Sequence, residues 1–242
     1  MGRAPSLLAF GVLAGVVAAY YAAAGSLGNE SLWWDIAFLA FVLIPLVFAL
    51  VYCVLPLWNG RGLLAVGAAC GVLAVATQAA GLDMVANFAK LAAMTFVAFW
   101  FLSFFETVSW VVLVACIIPW VDAYSVWRGP TRHIVEHQRG LFTTLSFAFP
   151  VPGGGAANLG LPDLLFFGVF LAACARFGLR VRWTWLAMTV SFGATMALAT
   201  WFEVDGLPAL PLLSLAFLLP NADLLWSRLS PRARARTAPP IA

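Results

Sequence analysis

Two aspartates, Asp122 and Asp163, sit in long apolar runs on either side of the longest connection in this 242-residue chain. Carboxylates in such runs are expensive unless they face a polar cavity, so each is a functional candidate. Asp122 precedes Arg128 by six residues, about 9 Å of helix rise, and Asp163 lies near the beginning of the next run. Both therefore belong at comparable depth below the same face. Adjacent antiparallel helices can bring two such carboxyls close together, and a close pair shares one proton over a wide pH range. One member then acts as a general base on water and the other as a general acid on a carbonyl, the machinery of an aspartic protease. Pro119, one turn before Asp122, is expected to kink its helix and admit water, and Pro162 starts the other helix with no donor to lose. Spacing alone leaves a structural ion pair and a proton-relay transporter open.

The elements that must hold the pair are membrane helices. The chain is 64% apolar and 10% charged, with a mean hydropathy of +0.98, whereas soluble domains are about 25% charged. A net charge of +3 with no basic face excludes nucleic-acid binding. The four cysteines (Cys53, Cys70, Cys116, Cys174) are scattered and read as small apolar packers. About eight runs are long enough to span, near 6–24, 32–57, 62–81, 84–105, 107–127, 161–177, 183–203 and 207–227. The first is read as a mature helix rather than a cleaved leader, since Tyr20 and Tyr21 sit where small residues would be wanted. Counting basic residues puts Arg3, Arg61, Arg176, Arg180, Arg182 and the tail arginines on one side and Arg128, Arg132 and Arg139 on the other. Both termini are then cytoplasmic. The tail 228–242 is basic and proline-containing, expected to be disordered and drawn to anionic lipid.

Other charged residues carry blander expectations. Glu30, Asp35 and Asp83 start segments, Lys90 snorkels from near a helix end, and Glu106 is interfacial. Glu203 and Asp205 flank a turn, and Asp223 is read as structural. Gly11, Gly15, Gly67 and Gly71 are expected to let helices pack closely. The connection 128–160 has a charged helical stretch at 131–140. The stretch that follows, Leu141–Phe149, is apolar and suited to a strand or re-entrant piece. His133-Ile134-Val135-Glu136-His137 reads as H-x-x-E-H, a zinc-protease pattern. These are the only two histidines, and a solvated amphipathic helix is the weightier reading.

Three stretches together resemble the presenilin and signal peptide peptidase family of intramembrane aspartic proteases. Val121-Asp122-Ala123-Tyr124 through Arg128-Gly129-Pro130, Arg132 and Val135-Glu136 is similar to the family's first aspartate segment. Leu159-Gly160-Leu161-Pro162-Asp163 falls where the family has G-x-G-D. Leu207-Pro208-Ala209-Leu210-Pro211 reproduces its Pro-Ala-Leu motif. The resemblance covers roughly 100–227. It implies an all-α polytopic bundle of about eight spans, with an N-terminal helical part over 1–105 of about four spans and a presenilin-like catalytic part over 106–227 that includes loop 128–160. It implies that Asp122 and Asp163 are catalytic, and that Gly160, Leu161, Pro162, Pro208, Ala209 and Leu210 shape the substrate site. No metal or cofactor is implied. The implied partners are transmembrane-helix substrates or signal-peptide remnants, unwound and paired as a strand against Leu145–Phe149 and Ala157–Gly160.

Pro162 stands where the family has glycine, and Val121 where it has tyrosine, which bears on site geometry and substrate choice. The long connection lacks the large presenilin insertion, and the excess of Arg over Lys points to a GC-rich prokaryotic source, hence a compact member in a prokaryotic plasma membrane. Two rivals stay open: a non-catalytic relative that binds membrane helices, and a proton- or ion-coupled transporter.

Overall fold

The computed structural model describes residues 3–28, 31–128, 144–204 and 207–229, with side chains from Leu8 onward. Glu30, Arg132, His133, Glu136, His137, Arg139, Asp205 and the tail beyond Leu229 lie outside the described residues. The protein is mainly helical. In chain order the helices are α1 (Arg3–Ala23), α2 (Leu32–Phe38), α3 (Ile44–Val54), α4 (Leu63–Ala79), α5 (Asp83–Phe101) and α6 (Val108–Arg128). A hairpin of β1 (Ser146–Pro150) and β2 (Ala156–Gly160) follows. Then come α7 (Leu161–Arg176), α8 (Val181–Trp201), α9 (Leu210–Leu218) and α10 (Ala222–Leu229).

Among the described residues, five helical stretches are long and apolar enough to cross a bilayer: Leu8–Ser26, Leu32–Leu57, Asp83–Phe104, Val108–Arg128 and Leu210–Leu229. Three of the eight runs expected from hydropathy fall outside this set. Helix α4 has 17 residues. Helix α7 has 16, because the hairpin takes up the chain immediately before it. Helix α8 is 21 residues long but is diluted by Arg182 and a series of Thr and Ser residues.

Helix α7 is the centre of the bundle. Its residues from Phe167 to Cys174 are all buried, as expected of a helix apolar on every side. Phe167 meets Phe48 of α3 and Phe192 of α8 at centroid distances of 4.2 and 6.0 Å, and Phe48 stacks on Phe192 at 5.0 Å. Phe170 stacks on Phe217 of α9 at 4.7 Å. At the end of the bundle away from the hairpin, Arg176 donates to the Leu102 carbonyl at 2.6 Å. There too the Arg180 guanidinium grips Asp223 through two 2.7 Å bonds, so Asp223 is structural. Arg228 donates to the Phe177 carbonyl at the same end.

Of the four glycines expected at close helix approaches, Gly67 is at one and the other three are not. A Cβ on Gly67 would lie 2.8 Å from Val97, but Gly11, Gly15 and Gly71 face no described atom within 4 Å. The tightest crossings are at Gly168, 2.7 Å from Ala98 Cβ, and Gly193, 2.7 Å from Ala40 Cβ. Ala40 belongs to a π-helical turn, Leu39–Leu43, that leads into α3. Small-residue spacing cannot tell a helix face that meets a neighbour from one that meets lipid, since both want compact apolar side chains. Gly193→Ala is therefore expected to destabilise the protein by about 1–3 kcal/mol through overpacking. Gly71→Ala should leave it unchanged or slightly stabilised. Thermal unfolding in detergent micelles checks the contrast.

Candidate functional site

Asp122 sits in the last two turns of α6, a helix that runs unbroken from Val108 to Arg128 through Pro119. The missing proline N–H leaves the Ala115 carbonyl without its intrahelical donor. Asp163 is the third residue of α7, and Pro162 is the second. Proline is tolerated in the first turn because no intrahelical donor is required there. Helices α6 and α7 are in contact, and both contact α9. The two carboxyls are near enough to interact electrostatically, and both side chains are half-buried.

Two helix N-termini converge on this pair. The Leu210 N–H, at the first position of α9, donates to Asp122 Oδ2 at 3.0 Å. This satisfies one of the donors that every helix start leaves without an intrahelical partner. Pro211, next in line, has no donor to satisfy. Ala209 and Leu210 are buried and Pro208 is half-buried, so the Pro-Ala-Leu stretch is packed against Asp122. The Leu210 donor is therefore already engaged within the protein. Asp163 in turn accepts a hydrogen bond from the backbone of Gly160, as an acidic residue at the third helix position does in a capping box.

Gly160 has φ −60° and ψ 143°, open to any residue. Its value here is space, because a Cβ would lie 3.1 Å from Asp163 Oδ2. In the hairpin, positive φ belongs to the turn glycines Gly153, Gly154 and Gly155 at 80°, 107° and 91°. That turn lets Ser146–Pro150 double back antiparallel on Ala156–Gly160, with Phe147 opposite Leu159 and Phe149 opposite Ala157. Strand β2 passes through Gly160 directly into α7, so the hairpin and Asp163 move as one piece. The Leu161 N–H extends the pairing by bonding the Leu145 carbonyl at 3.2 Å.

Of the site residues expected from sequence, Asp122, Asp163, Gly160, Leu161, Pro162, Pro208, Ala209 and Leu210 all lie at this one end of the bundle. Lys90 departs from expectation. It does not snorkel: it is 7% exposed and donates to the Ser146 carbonyl of β1 at 3.1 Å. Asp35 starts α2 as expected but is also 7% exposed, beside Tyr20. Asn87, Tyr20 and Tyr21 also reach the hairpin, and sequence reasoning missed all three. The available signal was Asn87 and Lys90 three residues apart, one polar face in an otherwise apolar run. Glu203 closes α8 in a left-handed conformation with φ 53°, a turn role.

Compared with known proteins, the chain matches no family model and no curated protein. The contact between Asp122 and Leu210 yields a direct check. Asp122→Asn keeps an acceptor for the Leu210 N–H and Asp122→Ala does not, so the alanine variant should be less stable by about 1 kcal/mol. Equal unfolding midpoints in detergent would show that the bond contributes nothing.

Proposed function

We propose that this protein is an intramembrane aspartic endopeptidase of the presenilin and signal peptide peptidase type. In this reading it is a polytopic plasma-membrane protein of about eight spans, with α4, α7 and α8 completing the set. The observation that carries the reading is the meeting of Asp122, Asp163 and the Pro-Ala-Leu backbone at one end of the bundle, beside a strand hairpin that leads into Asp163. Residues 160–162 and 208–210 border the acidic pair, where a substrate chain would lie.

The chemistry is hydrolysis of a peptide bond in a substrate's membrane helix. With the pair holding one proton, the ionised carboxylate removes a proton from water as its oxygen attacks the scissile carbonyl carbon. The protonated carboxyl gives its proton to the carbonyl oxygen. The resulting tetrahedral diol collapses as the carboxyl that took the proton from water passes it to the amide nitrogen and the other carboxylate takes a proton from a diol hydroxyl. The C–N bond breaks, leaving a new carboxyl, a new amine and a pair that again holds one proton. No other group is needed to balance these steps.

One observation favours a second reading. Both carboxyls occupy helix-start positions, Asp122 on α9 and Asp163 on α7, where acidic groups are common for stability alone. A protein that binds membrane helices without cutting them would use the same contacts. The decisive measurement is cleavage of a panel of single-span peptides in detergent or vesicles. Asp122→Asn and Asp163→Asn should each lower the rate by at least about 100-fold while leaving peptide binding intact. A wild-type protein that binds these peptides and cuts none, or Asn variants that still cut, would refute the protease.

A further inference from the structure

The two edges of the hairpin differ. On β1, the residues that turn away from β2 are Ser146, Ala148 and Pro150, and side chains from α1 and α5 take their backbone groups one after another. Lys90 Nζ donates to the Ser146 carbonyl at 3.1 Å. The Asn87 amide treats Ala148 as a neighbouring strand would, donating to its carbonyl at 3.0 Å and accepting from its N–H at 3.2 Å. The Tyr21 hydroxyl donates to the same Ala148 carbonyl at 2.8 Å and the Tyr20 hydroxyl to the Pro150 carbonyl at 2.9 Å. The tip is tied down as well, with the Gly153 N–H on the Ala24 carbonyl at 3.2 Å.

Among the described residues, none seals the β2 edge in this way. Because Ala148 turns its N–H and C=O to Asn87, it is Phe147 and Phe149 that bond to Leu159 and Ala157. Ala156 and Asn158 therefore direct their backbone groups outward. Both are exposed, and no described residue bonds to those groups. Two steps further along, the same strand is Gly160, against the Asp163 carboxyl.

We propose that Lys90 and Asn87 are positioning residues that seal β1 and fix the hairpin against α5, so that an extended peptide can add only along β2. Its register on β2 then decides which bond reaches the carboxyl pair. This deepens the protease reading and rests on it. The physical case is asymmetry. A bare sheet edge accepts any strand, and a hairpin with two bare edges would hold peptide on the side away from Asp163 as readily as on the near side. The only lysine of the chain is spent in the bundle interior, where an apolar side chain of the same length would fill the space without the cost of burying an amine. What the amine adds is a donor for the strand.

The test pairs two readouts on the full-length protein in detergent micelles. Hydrogen exchange of segment 144–160 should speed up at least tenfold in Lys90→Met and in Asn87→Leu, while exchange in α7 stays as in wild type. On a single-span peptide cut at one bond by wild type, the same variants should cut at two or more neighbouring bonds, with KM raised several-fold and kcat changed less. Lys90→Arg should restore single-bond cleavage. If Lys90→Met does not fold, Tyr21→Phe, which removes one hydroxyl, must shift both readouts in the same direction. Unchanged exchange and an unchanged cut site in folded variants would overturn the proposal while leaving the protease reading intact. Faster exchange in the variants, with no cleavage by wild type, would sink the protease reading and with it the role given to the peptide, and would leave the seal on β1 as a structural fact.

Discussion

The arrangement depends on a carboxylate from one helix closing the start of another. In a lipid environment a helix N-terminus cannot turn its free N–H groups to water, and an acid cannot shed its charge into solvent. Bringing Asp122 to the Leu210 N–H meets both needs together. The bond also fixes where α9 begins relative to α6, and thereby where the Pro-Ala-Leu backbone lies beside the pair. The positive ends of the α7 and α9 dipoles face the same small volume. Two helix starts aimed at one acidic pair make a place where a single negative charge is tolerated in an otherwise apolar bundle.

What keeps that place rigid is the burial of α7. Its aromatic residues lock into α3, α8 and α9, and Gly168 allows it to approach α5 as closely as carbon atoms permit. Asp163 stands on the first turn of this fixed helix, tied back to Gly160. Helix α6 is different. Only Val108, Val111 and Ala115 of it are buried, so its outer half, with Asp122, is held mainly by α9. One carboxyl is thus mounted on the best-packed helix of the protein and the other on a much less enclosed one. A site that must admit a bulky helix between or beside its acids gains from that difference, since packed cores resist displacement and lipid-facing helices do not.

The acidic pair was legible from sequence because charge in an apolar run is rare and because depth can be counted in residues from Arg128 and from Pro162. The strand propensity of Leu141–Phe149 likewise pointed to the hairpin, whose β1 overlaps the end of that stretch. The role of Lys90 was not legible. A lysine seven residues into a helix can reach an interface in most settings, and its actual partner, a carbonyl 56 positions away, exists only once the hairpin has folded against α5. The same holds for Gly168 and Gly193, whose neighbours come from other helices. The eight apolar runs of the sequence and the five described stretches long and apolar enough to span differ for a related reason. Hydropathy sees apolar residues in α4, α7 and α8, but not where each helix must stop.

The hairpin also bears on why a proteolytic site in a membrane would sit near a strand at all. In a helix every carbonyl is shielded by its own hydrogen bond and by side chains, so water held between two acids has no line of attack on it. An unwound segment exposes its carbonyls but loses its backbone bonds, a loss that lipid does not repay. In the protease reading, the backbone groups of Ala156 and Asn158, to which no described residue bonds, would replace part of what unwinding removes, beside Asp163. Because β1 is sealed, that compensation is available on one side only. In that reading the energetics of opening a substrate helix and the choice of the bond to be cut would be properties of the same strand edge.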